Sequence, residues 1–394
     1  MAHIRNRCRQ ASKARNATIF RSDDIQKKLS SYIPDLLSHR PFVFEADVVT
    51  EISAAEHAVV RLNQQTLVDA EALNRLLLRA NAVASSRIDG IDVGTWRLLR
   101  ADAAQQLGEP ADDPPVGEVL ANIQATNFAM CAGDAEADIS VDRLLETHRL
   151  LLAATHPANR PGCMRDARIK NAELESARFE PPHHEMLEML LDDLCAFCNK
   201  DSLPALAQAA IAHAQFETIR PFVAGNGRVG RALIHMILRR RGLMSRVSTP
   251  VCLGIAERIK DYEDGLSATR YAGVNALVRR LASACRSAVA QAEAFATQTH
   301  QMQIRRRQRL ESVRAGSATD LLLKKLAGIP VLTVQSAAEL VGRSFQAANE
   351  AVARLVEARI LVPAKAGRRN RAFEAPDLMN AFVTLISSRR VPYT

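Results

Sequence analysis

A mostly α-helical chain is the fold class this sequence predicts, on three observations. Alanine and leucine are abundant while aromatic residues make up only 4%, a composition that favours helices over sheets. Long runs without a breaker, such as Leu206 to Ile219, carry alanines and apolar side chains as buried helices do. Strand-like patterns are short and confined to two places, near 167–170 and over 360–374.

Composition sets further bounds. At 394 residues the chain has room for two or three domains. Hydrophobic content of 47% with 24% charged residues is that of an ordinary globular protein. A net charge of +9 and a pI near 9.4 admit a polyanionic partner without requiring one. Seven cysteines, an odd number, with no signal peptide point to a reduced cytoplasm. No run of about 18 apolar residues exists, so no membrane span is expected.

The most informative stretch runs from His213 to Arg231. Pro221 lacks an N–H and disfavours helical geometry at Arg220, so the helix of 206–219 ends there. Gly225 and Gly227 allow a tight loop, and a second helix follows through Leu233, Ile234, Ile237 and Leu238. A glycine-containing turn that opens a helix offers backbone N–H groups and a positive dipole end to an anion. Arg228 and Arg231 add fixed charge beside it, which suits a polyphosphate. A solvated helix–turn–helix explains the turn alone equally well.

The full string is far more specific. Phe216-Glu217-x-Ile219-x-Pro221-Phe222-x-x-Gly225-Asn226-Gly227-Arg228-x-Gly230-Arg231 resembles the signature of the Fic (Fido) family. The resemblance implies a helical core that binds a nucleoside triphosphate, usually to move AMP onto a protein hydroxyl. It also implies a histidine where this chain has Arg220 and an acidic residue where it has Ala224. In the family that histidine is the base and that carboxylate holds Mg²⁺. A guanidinium stays protonated below pH ~12 and accepts no proton. Losing a positioned base costs ~10²–10⁴-fold in rate. Alanine gives no side-chain oxygen to a hard cation, so Mg²⁺ is not expected there. The donor half, Gly225, Asn226, Gly227, Arg228 and Arg231, is intact. Either Arg220 stands in for the metal's charge and an anion such as ATP binds without turnover, or the site has drifted and binds nothing. A different base is a further route, with His213 and His235 nearest in sequence; both lie in apolar runs, where a core role is expected.

The rest of the chain aligns with this resemblance. Residues 1–15 carry five basic side chains from Arg5 to Arg15 and read as a frayed basic tail or a nucleic-acid arm. Helices are expected over 51–65 and 69–86. At the end of the second, Ser85, Asp89 and Gly90 resemble the family's inhibitory motif, with aspartate replacing a glutamate that in the family pairs with the arginine at Arg231. Taken alone, Asp-Gly at a helix end is an ordinary cap. A loop is expected over 108–117 and helices over 118–130 and 141–152, with His148 packed in the core. Residues 167–170 read as a β-hairpin, either a plain surface hairpin or, by its place in the resemblance, the Fic flap that docks a protein target. Cys195 and Cys198 lie on a helix over 186–199 and read as buried or half-buried thiols, because a lone CxxC is a poor zinc site. Beyond the signature, 254–266 and 274–299 look helical. Tyr262 lies where family members carry tyrosines near the nucleotide base. The run from Arg305 to Arg309, in an expected connecting helix, reads equally as a solvated face or as a phosphate contact.

The C-terminal stretch has its own pattern. Thr333 caps one expected helix, Gly342 makes a turn, and Ser344 caps a second through Arg359. Strands over 360–362 and 372–374 flank a basic tip containing Arg368, Arg369 and Arg371. The order resembles the winged helix-turn-helix domain of many Fic proteins. That implies DNA contacts from Arg343, Ser344, Gln346 and Asn349 in a major groove, and from the tip on phosphates; winged helices also serve as protein-docking modules. The expected division is a basic segment at 1–40, a Fic N-terminal helical region at 41–110, a Fic core with β-hairpin flap at 111–300, and a linker helix with winged helix at 301–394. A cytoplasmic homo-oligomer is expected. It would be a degenerate Fic protein that binds nucleotide and acts through DNA or a partner. The alternative is a protein adenylyltransferase of atypical chemistry.

Overall fold

A computed structural model describes residues 32–64, 69–106, 108, 113–131, 138–166, 180–270, 273–310, 312–364 and 372–387. Their helices follow in chain order: α1 (Ala46–Gln64), α2 (Ala70–Ile88), α3 (Thr95–Gln106), α4 (Pro114–Cys131) and α5 (Val141–Leu152). Next come α6 (Leu187–Cys198), α7 (Ala205–Ile219), α8 (Asn226–Arg240), α9 (Val251–Glu257), α10 (Ile259–Ala268) and α11 (Asn275–Arg309). The C-terminal part has α12 (Ala318–Lys325), β1 (Val331–Thr333), α13 (Val334–Val341), α14 (Phe345–Glu357), β2 (Val362–Pro363), β3 (Ala372–Glu374) and α15 (Pro376–Ser387). The mostly helical expectation holds. Among the described residues no helix is long and apolar enough to cross a membrane.

The chain forms two compact units interleaved along the sequence rather than successive blocks. The first takes Met1–His57, Ala121–Ser245 and Arg258–Ala284; the second takes Ala58–Leu120, Arg246–Glu257 and Cys285–Thr394.

In the first unit α7 is the central element, with every residue buried except Glu217. Its alanines let α6 and α8 pack closely on it. Gln208 of α7 donates its side-chain amide to the carbonyls of Phe197 (2.8 Å) and Cys198 (3.3 Å), closing the C-terminal turn of α6. Asn199 exchanges two hydrogen bonds with the backbone of Ile139, at 2.8 and 3.0 Å, and so fixes the entry to α5. Cys195 and Cys198 are buried free thiols as expected, and burial raises the Cys198 thiol well above its ordinary value.

In the second unit α2 is the organising helix. Asp69 caps it by accepting from the N–H groups of Glu71 and Ala72. Asparagine side chains then hold the segment that leads into α9. Asn63 accepts from the backbone of Arg246 and Val247 (2.9 Å each), Asn74 from Ser248 (2.8 Å) and Asn81 from Cys252 (3.0 Å). Arg79 forms a bidentate pair with Asp102 of α3 at 2.7 and 3.2 Å. Gly328 leaves no room for a side chain: a Cβ there would lie 2.7 Å from the Ala72 Cα. The three strands are antiparallel in the order β1-β3-β2, with Leu332 opposite Phe373 and Val362 opposite Glu374. Thr333 and Ser336 form a capping box at the start of α13, Gly342 ends it in the left-handed region, and Ser344 caps α14.

Several expectations need correction. The helix expected over 254–266 is broken at Arg258, where φ is −136° and ψ is 54°, and the break coincides with a change of unit. The loop expected over 108–117 ends early, because Pro114 opens α4. The segments 274–299 and 304–309 belong to one helix, α11. The basic run on it is not a uniformly solvated face. Arg306 is 1% exposed and holds Asp377 at 2.6 and 3.0 Å, while Arg307 reaches Asp320 at 2.7 Å. Ile360 and Leu361 are buried but precede the strand, which starts at Val362. The basic tail, the flap residues 167–170 and the wing-tip residues Arg368, Arg369 and Arg371 lie outside the described residues.

Candidate functional site

The turn between α7 and α8 is built from main-chain carbonyls held by protein donors. Arg220 ends α7 in the left-handed region (φ 44°, ψ 65°), with its N–H still bonded to Phe216 O at 2.9 Å. Pro221 bars Arg220 from continuing the right-handed helix, and the left-handed conformation it takes instead costs an arginine on the order of 1–3 kcal/mol. Arg165 secures it. Its backbone N–H donates to Pro221 O (2.8 Å), Nε to Arg220 O (2.7 Å), and Nη2 to Ile219 O (3.3 Å) and Pro182 O (2.5 Å). A guanidinium at the C-terminal end of α7 also meets the negative end of the helix dipole. Burial pulls Arg165 down to about 10, still charged at neutral pH.

The other side of the turn is closed by Asn226 and His148. Asn226 Oδ1 accepts from Phe222 N–H and its Nδ2 donates to Phe222 O, both at 3.0 Å. Gly225 sits at φ 77°, and a Cβ there would meet Leu151 Cδ2 at 3.0 Å, so only glycine fits before α8. His148 of α5 stacks on Phe222, with ring centroids 3.8 Å apart and planes 6° apart. Its Nδ1 accepts from Gly162 N–H (3.0 Å), which leaves Nε2 to carry the proton and donate to Ala224 O (3.1 Å). Burial is the main cause that lowers His148 to about 4, and the charge of Arg228 adds to it. The imidazole is therefore neutral, as the core role expected of it requires.

The predicted site residues divide between the two units. Arg220, Ala224, Gly225, Asn226, Gly227, Arg228 and Arg231 share this turn and the first turns of α8; Arg228 and Arg231 are buried, and Arg220 and Ala224 are half-buried. Asn226 has a clear structural duty in bracing Phe222. Tyr262 joins from α10, but as a buried residue whose hydroxyl bonds His213 Nε2, with the rings stacked 5.7 Å apart. Burial first, and then Arg231, lowers His213 to about 3. His235 is buried with Nδ1 at 3.1 Å from Arg231 O.

Ser85, Asp89 and Gly90 belong to the second unit. Ser85 is buried in α2, Asp89 is the exposed C-cap, and Gly90 takes φ 82° and bonds Arg87 O at 2.9 Å, an ordinary glycine helix end. Arg343, Ser344, Gln346 and Asn349 are exposed around the start of α14. Sequence reasoning missed the role of Arg165. Its signal was an arginine shortly after a Pro-Gly turn, but its targets lie 54 and 55 residues away along the chain.

The buried histidine sets a pH dependence. Between pH 6.5, its ordinary value, and about 4, the unfolded chain takes a proton that folded His148 refuses. Stability should therefore fall as pH drops through that window, by up to about 3 kcal/mol from this group. Denaturant midpoints measured from pH 7 to 4 should drop less steeply in His148→Gln, which keeps a donor and an acceptor but cannot titrate. Equal slopes would contradict the assignment.

Comparison with known proteins agrees with this geometry. Residues 138–238 match the Fic/DOC family and residues 49–131 the Fic/DOC family N-terminal region. A protein adenylyltransferase, fic-1, of Caenorhabditis elegans is 30% identical over 150 residues, covering 37% of this chain and 27% of that protein. The protein adenylyltransferase Fic of Nematostella vectensis is 27% identical over 147 residues, covering 36% and 32%. The chain thus spans about a third or less of the length of these relatives. In fold it is similar to a Fic family protein from Desulfovibrio desulfuricans G20, with a TM-score of 0.53 at 22% identity, covering 86% of this chain and 98% of that one. It is also similar to a fragment of Fic-1 from C. elegans, with a TM-score of 0.51 at 21% identity over 63% and 72% of the two chains. The core that carries the turn and the helical region ahead of it thus match the Fic/DOC family and its N-terminal region.

Proposed function

We propose that the turn from Arg220 to Arg231 binds a nucleotide, or another phosphate-bearing anion, without efficient transfer of AMP. One observation carries this reading: Arg220 and Ala224, which stand where the family's base and metal carboxylate stand, brace the turn through their carbonyl oxygens. These bracing bonds do not depend on which side chains stand there, so they hold the backbone beside the donor groups of α8 in either case. ATP fits the donor set, which combines the start of α8 with Arg228 and Arg231. When bound it would supply the phosphates that these groups neutralise. Mg²⁺ does not fit at position 224, because the side chain has no oxygen and the carbonyl oxygen already accepts from His148. Arg220 supplies a fixed positive charge at the same turn. The alternative, an adenylyltransferase of atypical chemistry, needs a base. The nearest histidines, His213 and His235, are buried and already hydrogen-bonded, His213 to the Tyr262 hydroxyl of α10 and His235 to Arg231 O within α8.

A second reading concerns the C-terminal module, and the strand order favours it. A helix, a strand, two helices joined at Gly342 and a returning antiparallel pair make the order of a winged helix-turn-helix. Arg343, Gln346 and Asn349 are exposed at the start of α14, where a recognition helix meets base edges. Ser344 is used as the helix cap, and Gln346 bonds Glu350 at 3.2 Å. Binding of DNA by this module, with nucleotide occupancy as its signal, is the regulatory role we propose for the whole chain.

Two measurements test these readings. Calorimetric titration of ATP should show binding with or without Mg²⁺, weakened at least about tenfold by Arg228→Ala, since hydrogen bonds to charged groups carry about 1.5–3 kcal/mol. No binding in either buffer would overturn the nucleotide reading. For DNA, anisotropy at low salt should show duplex binding whose salt slope falls by about 1 for each phosphate contact removed in Arg368→Ala or Arg369→Ala. Unchanged slopes, or no binding, would leave the module as a protein-docking surface.

A further inference from the structure

Beyond the nucleotide turn, the first unit carries a second cluster of chemistry-bearing side chains, at its surface. His183, His184 and Glu185 follow Pro181-Pro182 and lead into α6. Consecutive residues in an extended chain point to opposite sides. Here the chain changes conformation between them: His183 is extended (φ −59°, ψ 144°), and His184 begins a single 3₁₀ turn, His184–Met186. The two imidazoles therefore converge, with ring centroids 4.1 Å apart and planes tilted by 49°. Glu185 closes the group, its Oε2 lying 3.5 Å from His183 Nδ1. One donor atom from each of the three residues lies within 4.8 Å of the other two.

We propose that His183, His184 and Glu185 form a binding site for a divalent transition-metal cation, of the zinc, cobalt or nickel class. Two imidazoles and a carboxylate are the donor set these borderline cations take, whereas Mg²⁺ and Ca²⁺ prefer oxygens alone. Metal–nitrogen bonds of about 2.0–2.1 Å bring tetrahedral donors to about 3.3 Å apart. The donors lie within 4.8 Å of one another, and His183 Nδ1 and Glu185 Oε2 are already 3.5 Å apart, close to that spacing. Of the neighbouring charges, Arg165 and Asp166 act on His184 with opposite sign, so the site is not dominated by either. Three protein ligands leave at least one position for water or an anion.

The position of the cluster gives a bound cation something to act on. The residue before it, Pro182, offers its carbonyl to Arg165 Nη2, and the same guanidinium holds Arg220 O through Nε. A metal at 183–185 would stiffen the far end of the strut that braces the turn between α7 and α8. The site binds whether or not the turn holds a nucleotide.

Cobalt(II) titration of the full chain, prepared without a histidine tag, tests this directly. Absorption in the visible d–d region should saturate at one Co²⁺ per chain and be displaced by Zn²⁺. The signal should vanish in the His183→Ala/His184→Ala double variant and weaken at least about tenfold in Glu185→Gln, in line with the loss expected when a metal site's carboxylate is changed. Zn²⁺ should also raise the melting temperature of the unaltered chain and not that of the double variant, whose circular dichroism confirms that it is folded. No saturable cobalt signal, or one that persists in the double variant, would overturn the proposal.

Discussion

A buried turn between two helices must satisfy carbonyl groups that neither helix can, and in this protein Arg165, Asn226 and His148 do so. Carbonyls of Ile219, Arg220, Pro221, Phe222 and Ala224 are all bound to donors from these three residues. An unpaired buried backbone group costs about 1–3 kcal/mol, so the set outweighs the strain of a left-handed arginine at position 220. The same requirement explains other features of the unit. His148 must stay neutral to accept at one nitrogen and donate at the other, and Gly225 must lack a Cβ for α8 to start where it does.

Because the turn is held by its backbone, scaffold and chemistry are separable. At Arg220 and Ala224 the bracing bonds run through carbonyl oxygens, which any residue supplies. Asn226 is different. Its side chain carries two of the bonds, and any other side chain would leave buried groups of Phe222 without partners. Physical constraint from the bracing therefore falls on the side chains of Asn226, Arg165 and His148 and on the missing Cβ of Gly225.

Much of this was legible in the sequence where the cause is local. Val141–Leu152 was read with its true ends, and the caps at Thr333 and Ser344 follow from side chains that bond their own helix starts. The end of α7 at Arg220 follows from Pro221. Distant partners were not legible. Arg306 looked like one cation in a solvated run because Asp377 is 71 residues away. The break at Arg258 has no proline or glycine to mark it, and the asparagine contacts that seat 246–252 beside α2 leave no periodic trace. Tyr262 was singled out for the nucleotide but is occupied by His213 within the core.

The central claim, that this turn keeps an anion site and has lost the groups that transfer AMP, is tested most directly by AMP incorporation. Mass spectrometry after incubation with ATP and Mg²⁺ would read addition of an adenylyl group to the protein itself or to added protein. We expect none for the unaltered chain and a clear gain in Arg220→His/Ala224→Asp, which restores a base and a metal ligand to a turn whose backbone is unchanged. Adenylylation by the unaltered chain, abolished by Arg228→Ala, would contradict the claim and make the protein an active transferase.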